Sequence, residues 1–251
     1  MAGAGVKLFG CYDPAHGNIW IPISVDIDGV VQVYDTKVWT SLMTPRPSFY
    51  EGWQDESGID LTSWSVTNPA TGTDWIRGAV GQYLMAVVAP NANENGRLRS
   101  LHRWTLAPGA YGTTQILRKF CFEFETYLQS LANVDQANFI LGLTNTTAST
   151  RTTNNLIGWG MTANILQCIT DDGGAETVTA DPTTTMTALN KFKIEVSLNS
   201  VVFKVNEVIV ATHIVNLPNI PAYLNFYYPT GAGGASILSL GVIRCWQEDI
   251  V

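Results

Sequence analysis

Charge is scarce in this chain: Lys and Arg together number 14 and Asp and Glu 21 among 251 residues, leaving a formal net charge of −7. Binding nucleic acid without sequence preference needs clustered cations that displace counterions, and no basic run exists here, so no nucleic-acid partner is expected. Long apolar runs are also missing. None approaches the roughly 18–20 residues that cross a bilayer as a helix, and no membrane partner is expected. The opening MAGAGVKLFGCYDPAHGN holds one Lys and no continuous apolar segment, so the reading is of a protein made without a secretory signal, in a cytoplasm. Cys11, Cys121, Cys168 and Cys245 are far apart and show no CxxC spacing, which points to small buried hydrophobes rather than a metal site or a disulfide framework. His16, His102 and His213 are dispersed and form no HExxH pair; His213 is expected to cap a turn. There is no GxSxG nucleophile elbow, and the glycines at 231, 233 and 234 lack the Lys-Ser/Thr of a phosphate loop. Helical periodicity is absent too, the nearest candidate being Tyr127 to Ala137.

What the chain does have is alternation. Phe192, Ile194, Val196 and Leu198 point one way while Lys193, Glu195, Ser197 and Asn199 point the other, the period of a half-buried strand. Asn199-Ser200 interrupts it, Val201 to Val205 resumes it, Asn206-Glu207 turns again, and Val208 to Thr212 follows. Three strands joined by two tight turns predict an antiparallel meander. Pro218 and Pro221 lack the N–H that a ladder requires, so NLPNIP is a crossing loop. Tyr223 to Tyr228 and Ile237 to Trp246 are two further strands across a Gly-rich turn.

The order KFKIEVS, SVVFKVNEVIVATH, NLP, PAYLNFYY, SILSLGVIRCW resembles the second half of the concanavalin A-like lectin/glucanase jelly rolls, which include laminin-G-like domains and family 16 glycoside hydrolases. The resemblance covers about the last quarter of the chain and implies an all-β, two-sheet antiparallel sandwich. It implies no particular activity.

Upstream, residues 1–48 read as a separate N-terminal arm and 49–251 as the sandwich. In the arm, NIWIPISV and VVQV flank an Asp28-Gly29 turn, and two strands alone are marginal in water. Trp20, Ile21, Ile23, Val25, Val31 and Val33 are therefore candidate docking residues. NIWIPISVDIDGVVQV also resembles leader segments of bacteriophage virion proteins. TPRPS, residues 44–48, reads as a stiff linker.

Three groups are candidates for chemistry. Glu123 and Glu125 share a strand face, and family 16 glycoside hydrolases carry catalytic carboxylates in a pattern close to Glu-x-Asp-x-x-Glu. Here Glu125 replaces the Asp and Leu128 takes the place of the third carboxylate, so the expected role is a solvated face. Asp171-Asp172-Gly173-Gly174, with Glu176 and Asp181, is an oxygen-rich loop for which Ca²⁺ is the candidate ion, although an acidic Gly-rich turn is usually only a turn. Among eight tryptophans, Trp53, Trp64, Trp75 and Trp104 are candidates for stacking on sugar rings, against burial in the core or an interface.

With no recognisable active site, the expectation from sequence is a non-enzymatic virion structural protein, made in a host cytoplasm. It would be a capsid decoration or head fibre, or another surface component, docked through its arm on capsid or tail subunits as a homo-oligomer, with a trimer favoured. The alternative is a carbohydrate-binding adhesion module of a tail or fibre that meets a host glycan. A glycoside hydrolase is third.

Overall fold

The computed structural model describes residues 23–25, 31–33, 46–51, 61, 63–67, 73–77, 84–88, 95–104, 118–131, 134–145, 151, 155–197, 199–218, 222–229 and 236–249. The chain divides into two units, Met1–Arg46 and Pro47–Val251. In the first, β1 (Ile23–Val25) pairs antiparallel with β2 (Val31–Val33), as the Asp-Gly turn predicts. Trp20 and Ile21 lie outside the described residues.

The second unit is the predicted all-β sandwich of two antiparallel sheets. One sheet, here the front, has the order β12-β11-β10-β9-β16-β7-β4. Its strands are β4 (Trp64–Thr67), β7 (Asn95–Trp104), β9 (Ile140–Thr144), β10 (Asn155–Thr162), β11 (Ile165–Asp172), β12 (Glu176–Asp181) and β16 (Ala222–Pro229). The back sheet has the order β15-β14-β13-β8-β17-β6-β5, and β3 (Arg46–Glu51) pairs with β17. Its members are β5 (Thr73–Arg77), β6 (Leu84–Val88), β8 (Arg118–Leu128), β13 (Asn190–Val196), β14 (Val201–Val205), β15 (Val208–His213) and β17 (Ser236–Asp249).

The meander stands as read. β13, β14 and β15 pair in sequence order, and the turn between β14 and β15 places Asn206 and Glu207 at φ of 50° and 67°. Successive positive φ angles give a hairpin turn whose twist matches the strands it joins. β16 and β17 enter different sheets, which closes the sandwich. Among the described residues of 127–137 there is no helix: β8 runs on to Leu128, and turns follow.

The core lies between the sheets. Alternate residues of β8 turn Phe122 and Phe124 inward, against Trp159 of β10, Phe192 of β13 and Phe226 of β16. Trp159 in turn meets Phe192 and Phe203 edge-on, with ring centroids 5.0 and 5.5 Å apart. Offset and edge-to-face geometries suit the quadrupoles of these rings. Cys121, Cys168 and Cys245 are buried free thiols, as expected; burial, followed by the nearby Asp181 charge, pushes the Cys168 thiol up to about 12. Cys11 and His16 fall outside the described residues.

His213 does more than end a turn, correcting the sequence expectation. It is buried, and its Nδ1 and Nε2 each lie 3.0 Å from a threonine hydroxyl of the front sheet, Thr170 on β11 and Thr179 on β12. The ring thus ties the edge strand β15 of one sheet to the other sheet. Burial pushes its pKa down, favouring the neutral ring with one donor and one acceptor nitrogen.

Candidate functional site on the front sheet

Glu123 and Glu125 stand on the outer face of the back sheet, and what surrounds them is a lattice of ion pairs. Glu123 is buried, with Lys191 Nζ at 3.0 Å and Arg244 at 3.6 Å. On the same face Glu195 takes Lys193 at 2.8 Å, Lys204 at 2.7 Å and Lys119 at 3.4 Å, and Lys193 lies over the Trp246 ring. This is a paired, partly buried face rather than a solvated one. Leu128 is a core residue, so it does not stand on the carboxylate row; Tyr127, two residues beyond Glu125, does. Burial pushes the Glu195 carboxyl up, but hydrogen bonds from Lys193 and Lys204 and the charges of Lys193 and Lys119 outweigh it and hold it at about 2. A folded-state pKa below the unfolded value contributes stability that is present above pH 4.5 and is lost as pH falls from there toward 2. We expect the urea stability to drop by about 2 kcal/mol more between pH 6 and pH 3 in the parent than in Glu195→Gln; equal drops would remove Glu195 from the account.

The front sheet presents a different outer face, and strand register assigns its residues. One row runs Val178, Ile169, Gly158, Gly142, Asn225, Arg99, Ser65 across six strand pairings. The next runs Glu176, Asp171, Leu156, Thr144, Tyr223, Arg103. On the other side Tyr227 pairs with both Ile140 and Arg97.

Two glycines, Gly142 and Gly158, stand in the middle of this face between Asn225 and Ile169, and all four are buried. A Cβ on Gly142 would collide with the Ile157 carbonyl oxygen and lie 2.5 Å from Gly158 Cα, and one on Gly158 would lie 2.7 Å from the Leu141 carbonyl oxygen. Both positions therefore demand glycine because backbone meets backbone. Around them Ile140, Leu156, Ile169 and Tyr227 form a second, smaller buried apolar cluster. Arg151 bridges β11 and β12: its Nε donates to Glu176 Oε1 at 2.9 Å and a terminal nitrogen to Gln167 Oε1 at 2.7 Å.

Carboxyl groups occupy one end of the face. Asp171 and Glu176 are direct cross-strand partners. Asp171 is buried, and burial pushes its pKa up; the Gly173 N–H works against that, while the charges of Glu176 and Asp172 add to it. Glu176 is exposed and ion-paired with Arg151. The other oxygens of the acidic loop close turns. Asp172 Oδ1 accepts from the Gly174 and Ala175 N–H groups, and Asp181 accepts from the Thr183 N–H and the hydroxyls of Thr183 and Thr184. Among the described residues no three His, Cys, Asp or Glu side chains come together as a metal site.

Cations and aromatic rings occupy the other end. Arg97 lies over the Tyr227 ring at 4.8 Å and Arg99 over the Tyr223 ring at 4.7 Å. Between the two tyrosines sits Asn225, fully buried, with neither Nδ2 nor Oδ1 hydrogen-bonded.

The stacking candidates divide otherwise. Trp64 is a core residue, 1% exposed and 6.4 Å from Phe226, which removes it as a sugar platform. Trp75 and Trp104 lie in β5 and β7, and Ile23, Val25, Val31 and Val33 in β1 and β2, with side chains outside the described residues, as is the side chain of His102. Trp53 lies outside them altogether.

No family model and no curated protein matches the chain. Solved structures do. A structure from work on endo-acting O-glycanases of human gut microbiota is 13% identical, covering 81% of this chain and 100% of that one with a TM-score of 0.57. A β-glucanase of Bacillus licheniformis is 12% identical over 81% of this chain and 99% of its own, TM-score 0.54. A family 7 alginate lyase in complex with substrate is 11% identical over 77% and 96%, TM-score 0.52. At such identities the likeness shows the fold, the concanavalin A-like jelly roll that the C-terminal strands resemble. These matches overturn the sequence expectation of a non-enzymatic virion component: the three solved structures just described are of enzymes named for glycans.

Proposed function

We propose that the chain is a glycoside hydrolase working on the outer face of the front sheet, with Asp171 as general acid and Glu176 as nucleophile. The carrying observation is the direct cross-strand opposition of these two carboxyl groups in unlike surroundings, one buried with its pKa pushed up, the other exposed beside a guanidinium. Pairs whose environments separate their protonation are how acid and base roles are divided. Directly opposed antiparallel residues hold their Cβ atoms about 4.5–5.5 Å apart, so both carboxyl groups rise from one spot on the same face, as the paired carboxylates of a retaining hydrolase must.

The protonated Asp171 gives its proton to the glycosidic oxygen as the Glu176 carboxylate attacks the anomeric carbon. The C–O bond breaks and a glycosyl ester forms on Glu176. Asp171, now a carboxylate, takes a proton from water, whose oxygen displaces Glu176 and restores both groups. Arg151 fixes the orientation of Glu176. The fold likeness to enzymes named for glycans supports this choice of substrate.

Reducing-end release from a panel of polysaccharides tests the proposal. Glu176→Gln and Asp171→Asn are each expected to lower the rate by about 10²–10⁴-fold. Because the acid must be protonated, the rate falls as pH rises through the elevated Asp171 pKa. Release that survives both substitutions would sink the assignment.

A further inference from the structure

From the opposite end of the same face we infer that the polymer is a carboxylated one, a uronic-acid polysaccharide, read by Arg99 and Asn225. This rests on the placement of glycan on the front sheet proposed above. Asn225 pairs with Arg99 in the strand register, so both project from the same face side by side. Among the described residues Arg99 makes no ion pair; its guanidinium rests over the Tyr223 ring. The chain has only 14 cationic residues, and two of them, Arg97 and Arg99, stand two apart on this strand.

Buried amides are almost always hydrogen-bonded, and one that is not calls for an explanation. Here both polar atoms of a wholly buried Asn are without partners, in the centre of a sheet face and between two tyrosines. A uronate residue supplies what is missing. Its carboxylate accepts from Arg99 and from Asn225 Nδ2, and an adjacent ring hydroxyl donates to Oδ1. A guanidinium over a ring is held by a modest cation–π attraction, so it can swing to a carboxylate, the stronger and charge-assisted partner. A neutral glucan offers hydroxyls for the amide but nothing for the cation.

The test compares binding of the full chain to polygalacturonate, alginate and glucuronoxylan with binding to the same polymers after carboxyl reduction. At least one native polymer is expected to bind about tenfold or more tightly than its reduced form, with affinity falling as salt rises. Arg99→Gln should bring the native polymer down to the reduced one's affinity without moving the melting temperature. Asn225→Leu should weaken binding while raising the melting temperature, because an unpartnered amide leaves the interior. Equal binding of native and reduced polymers, or binding of neutral laminarin alone, overturns the inference and leaves the hydrolase proposal standing. Binding of none of these polymers in either form also overturns the inference, and the hydrolase proposal then falls only if no polysaccharide releases reducing ends.

Discussion

Replacing Phe124 with alanine is expected to remove about 3–5 kcal/mol of stability, the range for deleting a large buried aromatic side chain. Phe124 is fully buried and its ring touches four others: Phe122 and Phe192 stacked at 5.1 and 5.3 Å, Phe226 and Trp159 edge-on at 5.2 and 5.5 Å. Those rings come from both sheets, so the cavity would open at the centre of the sandwich, where neither sheet can collapse onto it without moving the other. With domain stabilities of about 5–15 kcal/mol, the loss is a large share of the total. For a domain of this size the melting temperature should fall by roughly 6–20 °C. Phe122→Leu, which keeps most of the volume, should cost far less. Equal losses in the two variants would mean that the aromatic cluster is not the centre of the core.

Gly142→Ala is the second large effect, and it acts by collision rather than by cavity. The added methyl meets the Ile157 carbonyl oxygen and the Gly158 Cα, both backbone atoms of the adjoining strand, so no side chain can turn aside. Either β9 and β10 separate locally or the new methyl displaces β10. We expect a destabilisation of about 3 kcal/mol, at the upper end for overpacking, readable as a lower urea midpoint with an unchanged m-value. A Gly142→Ala chain as stable as the parent would show that the close approach of the two strands is not required.

The C-terminal meander was legible because its signals are local. Alternation from Phe192 and the Asn206-Glu207 turn each act within a few residues, and the strands form where these place them. The resemblance to jelly rolls rested on the same residues, and the fold followed. The front-sheet site is non-local. Arg99 and Asn225 are neighbours only because β7 and β16 lie side by side in the sheet order, which no local periodicity encodes. Asp171 and Glu176 were visible as an acidic, Gly-rich turn, but their roles depend on register: a shift of one residue would send Asp171 to the core face. Its composition made Ca²⁺ a candidate beside the plain turn, and in the structure Asp172 and Asp181 spend oxygens on turn N–H and hydroxyl groups. Glu123 and Glu125 drew the catalytic comparison because they stand two apart on one strand face, yet Lys191 and Arg244 from flanking strands neutralise Glu123. One signal was available and passed over: Arg-x-Arg within a strand, in a chain poor in cations, puts two of them on one face.

The loss of the non-enzymatic expectation has a similar cause. It was built on the lack of a recognisable motif, and on an N-terminal hairpin resembling virion leaders. The proposed acid and nucleophile, Asp171 and Glu176, stand five residues apart across a Gly-rich turn, a spacing that reads first as a hairpin.

The central claim is that glycan is engaged on the front sheet. Backbone amide hydrogen exchange of the full chain, with and without the polysaccharide that it binds, tests this directly. The account predicts slowed exchange in β7, β9, β10, β11 and β16, with β8, β13 and β14 unchanged. Protection confined to β8, β13 and β14, under the ion-paired face around Glu123 and Glu195, would contradict it.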